Sequence, residues 1–386
     1  MHFFILVSLF FIAMSSIASR AEISKDSISA NSQPQGNASA DNANSKSPPI
    51  LDQKPHLIVF PMVYYTPETS FAGGVINIYN IDEVAPGRIS QVQLVGAYTS
   101  KQQTIVALTP KLYFNSGKNE VFGNLNYSYY PNKYYGQGDF HLDNPENYTE
   151  NVLKSSIGAT HNFNTFFFGR LQATRNQFKI LKTESGGNLE TQLNANGFST
   201  LEINGLAFGI DYDSRDFPLS PTSGYYLKNQ IAFQQAKDPN LDQNKNFQTY
   251  EMDWRIYSIV KQKYILANQF YFGHLSDRDL PFQTLLSIGG NHSMRGYYNG
   301  QYRNQDLLMN QNEIRGSFTN KFGWDSFISI AKLGSSMNSI QYSTTHLSAG
   351  GGINYLLDPK SRVKIRLNFG VSKENSGVYF VLGESF

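Results

Sequence analysis

Arg295 stands between Gly289-Gly290 and Gly296, with Tyr297 and Tyr298 following, inside a long polar stretch. A guanidinium set among glycines and aromatic rings is suited to a charge-assisted, two-pronged bond with a carboxylate. The following segment offers one. Gln311, Glu313 and Arg315 share a strand face, because strand side chains alternate sides. A loop that brings Arg295 back toward Glu313 makes an internal pin, and the glycines permit close backbone approach.

A second charged group, Asp213, Arg215 and Asp216, has the paired carboxylates that acid–base catalysis uses. Pro218, Pro221 and Gly224 follow directly, so the expected role is structural: Arg215 bonds a carboxylate and the prolines stiffen a turn. The seven His are scattered without metal-ligand spacing, and no Ser-His-Asp order stands out. Cys is absent, which excludes disulfides, thiolate metal sites and a Cys nucleophile. No catalytic residue, cofactor or metal is expected. An enzyme carried on a membrane barrel stays the weaker alternative.

The elements that must position these residues have a period of two. Leu206, Phe208, Ile210 and Tyr212 alternate with Ala207, Gly209, Asp211 and Asp213. Val363, Ile365, Leu367, Phe369 and Val371 alternate with Lys364, Arg366, Asn368, Gly370 and Ser372. Runs of about ten such residues match a tilted membrane-crossing strand. About sixteen occur, from 57–65 to 376–386, including 120–131 and 147–162. Tight turns are expected at 115–118, 260–263 and 358–361, and long polar loops at 131–146, 181–195, 236–245 and 276–305. Short turns on one side and long loops on the other describe an all-β transmembrane antiparallel barrel. A soluble sandwich or propeller fits less well, because Arg362, Lys364 and Arg366 on an inward face suit a wet lumen rather than a dry core.

Composition agrees. Phe and Tyr, at 28 and 24, far outnumber the two Trp, and Tyr pairs fall at strand ends, as interfacial girdles do. Mean hydropathy of −0.38 excludes a bundle of transmembrane helices but not alternating strands. The net charge of +2 comes without a basic block, so nucleic acid is not an expected partner. Residues 1–21 read as a secretory signal peptide with a short apolar core, cut after Ala18 or Ala21. Residues 22–55 are polar and read as a disordered periplasmic linker, which leaves 56–386 for the barrel.

Several stretches resemble the BamA/TamA superfamily of outer-membrane assembly-factor barrels, the bacterial surface antigen barrels. Ser293-Met294-Arg295-Gly296-Tyr297 resembles the signature of the family's sixth extracellular loop, and Glu313-Ile314-Arg315 its next strand. Asp213-Ser214-Arg215-Asp216 with Gly224-Tyr225-Tyr226 is similar to a periplasmic-turn motif. The stretch Pro61-Met62-Val63-Tyr64-Tyr65 resembles the first strand, and Tyr134-Tyr135-Gly136 the entry to the third loop. Phe386 closes a segment resembling the C-terminal strand signal that assembly machinery reads.

The resemblance implies a loop folded into the lumen and latched by Arg295, Gly296 and Tyr297 to Glu313. It implies residence in the outer membrane of a Gram-negative bacterium, among its lipids. It also implies insertion or translocation of unfolded outer-membrane or secreted protein clients, by opening the seam between first and last strands. Two departures stand out. The family's periplasmic POTRA domains find no room before residue 56, so client capture would need a periplasmic partner. Where the family places an inward Asp two residues before a Gly, Lys332 precedes Gly334, and it is expected in the lumen beside the latch, competing for Glu313. A passive pore or structural surface barrel is the alternative function.

Overall fold

A computed structural model describes residues 56–85, 88–241, 243–261, 263–358 and 362–386. The expected signal peptide and linker lie outside these residues, as do Gln262 and residues 359–361 of two expected tight turns.

Sixteen antiparallel strands close into one ring. They begin with β1 (His56–Thr66), β2 (Ser70–Ala85), β3 (Arg88–Thr99), β4 (Thr104–Phe114), β5 (Asn119–Gln137) and β6 (Phe140–Asn162). The far wall is β7 (Phe167–Lys182), β8 (Thr200–Asp213), β9 (Gly224–Asp238), β10 (Gln243–Val260) and β11 (Tyr264–Leu275). Two short strands, β12 (Leu286–Ile288) and β13 (Tyr302–Asn304), pair inside the next loop. The ring then resumes with β14 (Asp306–Ser317), β15 (Phe322–Gly334), β16 (Thr345–Asp358), β17 (Val363–Ser372) and β18 (Ser376–Leu382).

The period-two pattern sets which side chains face in. On β15, Asp325, Phe327, Ser329 and Ala331 are buried while Ile328 and Ile330 are exposed on the outer face. The same holds on β8, where Leu206, Phe208 and Ile210 face out. An apolar skin around a polar interior is the arrangement a lipid-facing barrel requires, and ring closure removes the unpaired edges that lipid would not tolerate. No helix among the described residues is long and apolar enough to cross a membrane.

Strand pairing is uneven around the ring. β1 is matched to β2 from His56↔Asn80 to Thr66↔Ser70, although Pro61 sits within it. Against β18 it is matched at a single position, Tyr65↔Phe380.

Three expectations need correction. The 131–146 loop is instead the top of a β5–β6 hairpin, whose strands continue to Gln137 and resume at Phe140. Its polar side chains suggested a loop, but ladder bonds hold the backbone, and Tyr134 and Tyr148 pack with Leu189 and Phe282. The 181–195 loop carries a helix, α1 (Asn188–Asn196), and the 236–245 loop shrinks to a turn between β9 and β10. Two Glu146 contacts, from the Asn188 and Leu189 N–H groups at 2.7 and 2.9 Å, satisfy the start of that helix.

Candidate functional site: a latch inside the barrel

The loop between β11 and β14 runs inward. Its β12–β13 hairpin carries a tip in which Gly290 N–H donates to the Tyr297 carbonyl at 3.0 Å, and Gly300 N–H to that of Ile288 at 3.0 Å. Met294, a non-glycine at φ +79°, inserts among Ile288, Leu307, Met309, Ala331 and Leu333. Its N–H donates to Gln311 Oε1 at 3.0 Å. A left-handed residue that is not glycine persists only where its surroundings hold it, and here an apolar socket and a strand amide do so.

Arg295 follows directly, 1% exposed. It donates to Glu313 Oε2 through Nη2 and to Asn368 Oδ1 through Nη1, the latter at 3.0 Å. Its guanidinium lies 3.6 Å from the centre of the Phe327 ring. Gly296 then passes so close to β17 that an added Cβ would sit 2.9 Å from the Val371 carbonyl carbon. Its N–H donates to the Tyr379 hydroxyl at 2.9 Å, and its carbonyl accepts from Ser372 Oγ at 3.1 Å. Tyr297 donates its hydroxyl to the Leu347 carbonyl at 3.1 Å. The tip is therefore held by five consecutive strands of the wall, β14 to β18.

Glu313 is a hub rather than one half of a pair. Besides Arg295, it accepts from Arg315 Nε at 2.7 Å and from Arg366 Nη2 at 3.0 Å. Arg366 also meets Asp325 at 3.0 Å and Glu384 at 2.6 Å. Lys364 reaches Glu384 at 3.0 Å. The inner face of β16 makes this possible. Gly350 and Gly352 leave room there for the Phe327 ring and the Asn368 amide, which an added Cβ would meet at 2.4 and 2.2 Å. Across that gap Asn368 donates to Asp325 Oδ1 at 2.6 Å. Charges this deeply buried are stable only when paired and hydrogen-bonded.

Sequence reasoning placed Arg295, Gly296, Tyr297 and Glu313 together, and the structure brings them together. It missed Asp325, Asn368, Glu384 and the central position of Arg366. Lys332 is a correction. It lies on the outer face of β15, opposite in parity to Asp325 and Phe327, and its ammonium donates to the Gln341 carbonyl at 2.8 Å. The inward carboxylate sought at residue 332 stands instead at Asp325, two residues after Gly323. Counting from Gly334 put the reading on the wrong side of the strand.

The extent of the last strand is a second correction. The last strand ends at Leu382, not 386, and Gly383 at φ +90° turns the chain inward. Phe386 is buried against Tyr257 and Ala267, and its main-chain oxygen accepts from Arg315 Nη2 at 3.2 Å. The Ser385 carbonyl accepts from His292 Nδ1 at 2.7 Å, tying this tail to the loop. Glu384 also accepts from Ser220, in the β8–β9 turn, at 2.8 Å. Burial would raise its carboxyl, but Arg315, Arg366 and Lys364 outweigh that and hold it at about 2.

The β8–β9 turn is braced as its residue types foretell. Arg215 grips Asp213 through Nε at 2.9 Å and Nη2 at 2.8 Å, and stacks 4.4 Å from the Tyr226 ring centre. Asp216 accepts from Thr222 N–H at 2.8 Å and from Arg362 Nη1 at 2.8 Å. Asp213 is spent within the turn, and Asp216 on the turn and on its tie to Arg362.

The Omp85 superfamily domain matches residues 94–386, most of the ring and all of the latch. This chain belongs to the Omp85 superfamily. Among solved structures, this Omp85 barrel is similar to BamA from Haemophilus ducreyi lacking POTRA domains 1-3, with a TM-score of 0.61 at 14% identity, over 86% of this chain and 70% of that one. It is similar to CdiB from Escherichia coli at 0.57 and 14%, over 84% and 62%. For CdiB from Acinetobacter baumannii the figures are 0.55 and 12%, over 85% and 59%. The chain spans less than two thirds of either CdiB. At such identities the likeness is one of fold. No curated protein sequence matches the chain.

Proposed function

We propose that this Omp85 barrel inserts or translocates proteins at the outer membrane of a Gram-negative bacterium, through the seam between β1 and β18. One observation carries the reading: these strands are matched at a single position, while β1 is zipped to β2 along its length. A seam with so few ladder bonds separates at far lower cost than any other pair in the ring. The membership of the superfamily and the likeness to BamA and CdiB support protein clients, and delivery by a periplasmic partner is part of the proposal. The loop latched across β14 to β18 keeps the lumen filled while the seam works, which argues against a standing open pore.

The sequence has no Cys, so a single engineered pair can be tested cleanly. Tyr65→Cys with Phe380→Cys places thiols on directly opposed residues, at a spacing that antiparallel partners and disulfides share. Oxidation should abolish the ability of the variant to rescue other outer-membrane barrels in depleted cells, scored by quantitative proteomics, and reduction should restore it. Full rescue by the oxidised form would rule out the seam route. A steady conductance of the wild type in planar bilayers would favour a passive pore.

A further inference from the structure

The extracellular rim carries a feature that neither the latch nor the seam uses. A recess of about 580 Å³ opens where the β3–β4 turn lies low beside the tall β5–β6 hairpin, and Lys101, Lys133 and Lys182 line it. The Lys101 and Lys133 ammonium groups lie 5.8 and 6.0 Å from the centre of one ring, that of Tyr298. None of the three lysines forms an ion pair with a described carboxylate. Glu184, the carboxylate that lines the recess, is taken up by Asn147, which donates its N–H at 2.7 Å and its side-chain amide at 2.6 Å.

Lys101 is held in place. The β3–β4 turn is anchored by Gln103, fully buried, whose amide donates to the Glu68 and Pro131 carbonyls at 3.1 and 3.0 Å. Lys101 itself donates to the Pro67 carbonyl at 2.5 Å. Burial and then the charge of Lys133 push the Lys101 ammonium below the usual lysine range, against an opposing pull from Glu68. Two like charges gathered over one ring repel, and an anion seated between them would relieve that repulsion.

The depth of the recess indicates where the anion comes from. Tyr98 and Tyr127 are exposed on the outer wall just below it, as girdle aromatics are at headgroup level. Lys101 follows three residues after Tyr98, at the turn above the girdle. We infer that this recess is a binding site for the phosphate monoester of an outer-leaflet lipid headgroup, clamped by Lys101, Lys133 and Lys182 beside Tyr298. The inference depends on the barrel spanning a membrane and not on protein insertion, so it stands or falls apart from the proposed function.

The full chain in detergent would be titrated with short-chain phosphatidic acid, phosphatidylcholine of equal chain length, and inorganic phosphate, with adducts followed by native mass spectrometry. Phosphatidic acid should bind at roughly tenfold lower concentration than phosphatidylcholine. The K101Q/K133Q/K182Q variant should lose that preference and K101R/K133R/K182R keep it. The Lys133 and Lys182 ammonium groups donate no hydrogen bond to a described residue, so K133Q and K182Q alone should keep the fold and each show part of the loss. An unchanged preference in the Gln variants would overturn the site. Inorganic phosphate binding as tightly as phosphatidic acid would overturn the lipid assignment.

Discussion

Arg366 and Glu384 meet at 2.6 Å although one belongs to the wall at β17 and the other lies past the end of the last strand. Arg366 also holds Glu313 on β14 and Asp325 on β15, so one guanidinium joins three strands of the wall to the tail and reaches the loop through Glu313. The latch is therefore a shared network, in which Arg295 is the loop's contribution.

Replacing Arg366 by Ala leaves three buried carboxylates short of a cation and should destabilise the barrel by roughly 3–5 kcal/mol. Lys332→Ala, on the outer face, should change stability by less than about 0.5 kcal/mol. Thermal unfolding in detergent, read from heat-dependent gel mobility, separates the two. Equal effects would mean that the assignment of strand faces on β15 is wrong.

Arg295→Ala should leave the ring closed and release the loop. Protease should cut within residues 276–305 of the variant under conditions that spare the wild type. The lost anchoring is roughly 3 kcal/mol, the lower end of the range for a broken buried pair, because Arg315 and Arg366 still face Glu313. A loop that stays equally resistant would show that the apolar socket around Met294 holds it unaided.

Gly352→Val drives a side chain into the Asn368 amide and the Leu367 carbonyl, each 2.2 Å from an added Cβ. An overpacking loss of about 1–3 kcal/mol is expected, with loosening of the Asn368–Asp325 bond. Gly73→Ala on β2, with open space around its Cβ, serves as the control and should be near neutral.

Acid should loosen the tail selectively. Glu384 has a folded-state value of about 2 against an ordinary 4.5, a depressed carboxyl. Its stabilisation is therefore complete above about 4.5 and disappears as pH falls toward 2. Wild type should exceed Glu384→Gln in melting temperature by a constant margin at neutral pH, with the two curves converging in acid. A margin unchanged down to pH 2 would place the tail's anchoring elsewhere.

Much of this was legible in the sequence, for a physical reason. Alternating runs such as 363–371 force one face into lipid and the other into the lumen, so the wall and its strand number follow from period alone. Arg295 was legible because glycines and tyrosines around a lone loop cation leave few other uses for it. Asp325 was not, because face assignment turns on parity: setting the register from outward Ile328 and Ile330 finds it, while counting back from Gly334 finds Lys332. The β5–β6 extension was hidden since polar strands above the membrane carry the same residues as loops. Glu384 and Ser220 are 164 positions apart in sequence, and no local pattern announces their meeting.

That meeting also bears on the barrel's shape. β8 and β18 stand on opposite sides of the ring, and the β8–β9 turn is tied to the tail beyond β18 through Ser220, and to the base of β17 through the Asp216–Arg362 pair. A tube strutted across its width resists being flattened into an oval. A distortion that stretches the floor along this line must first break these two ties.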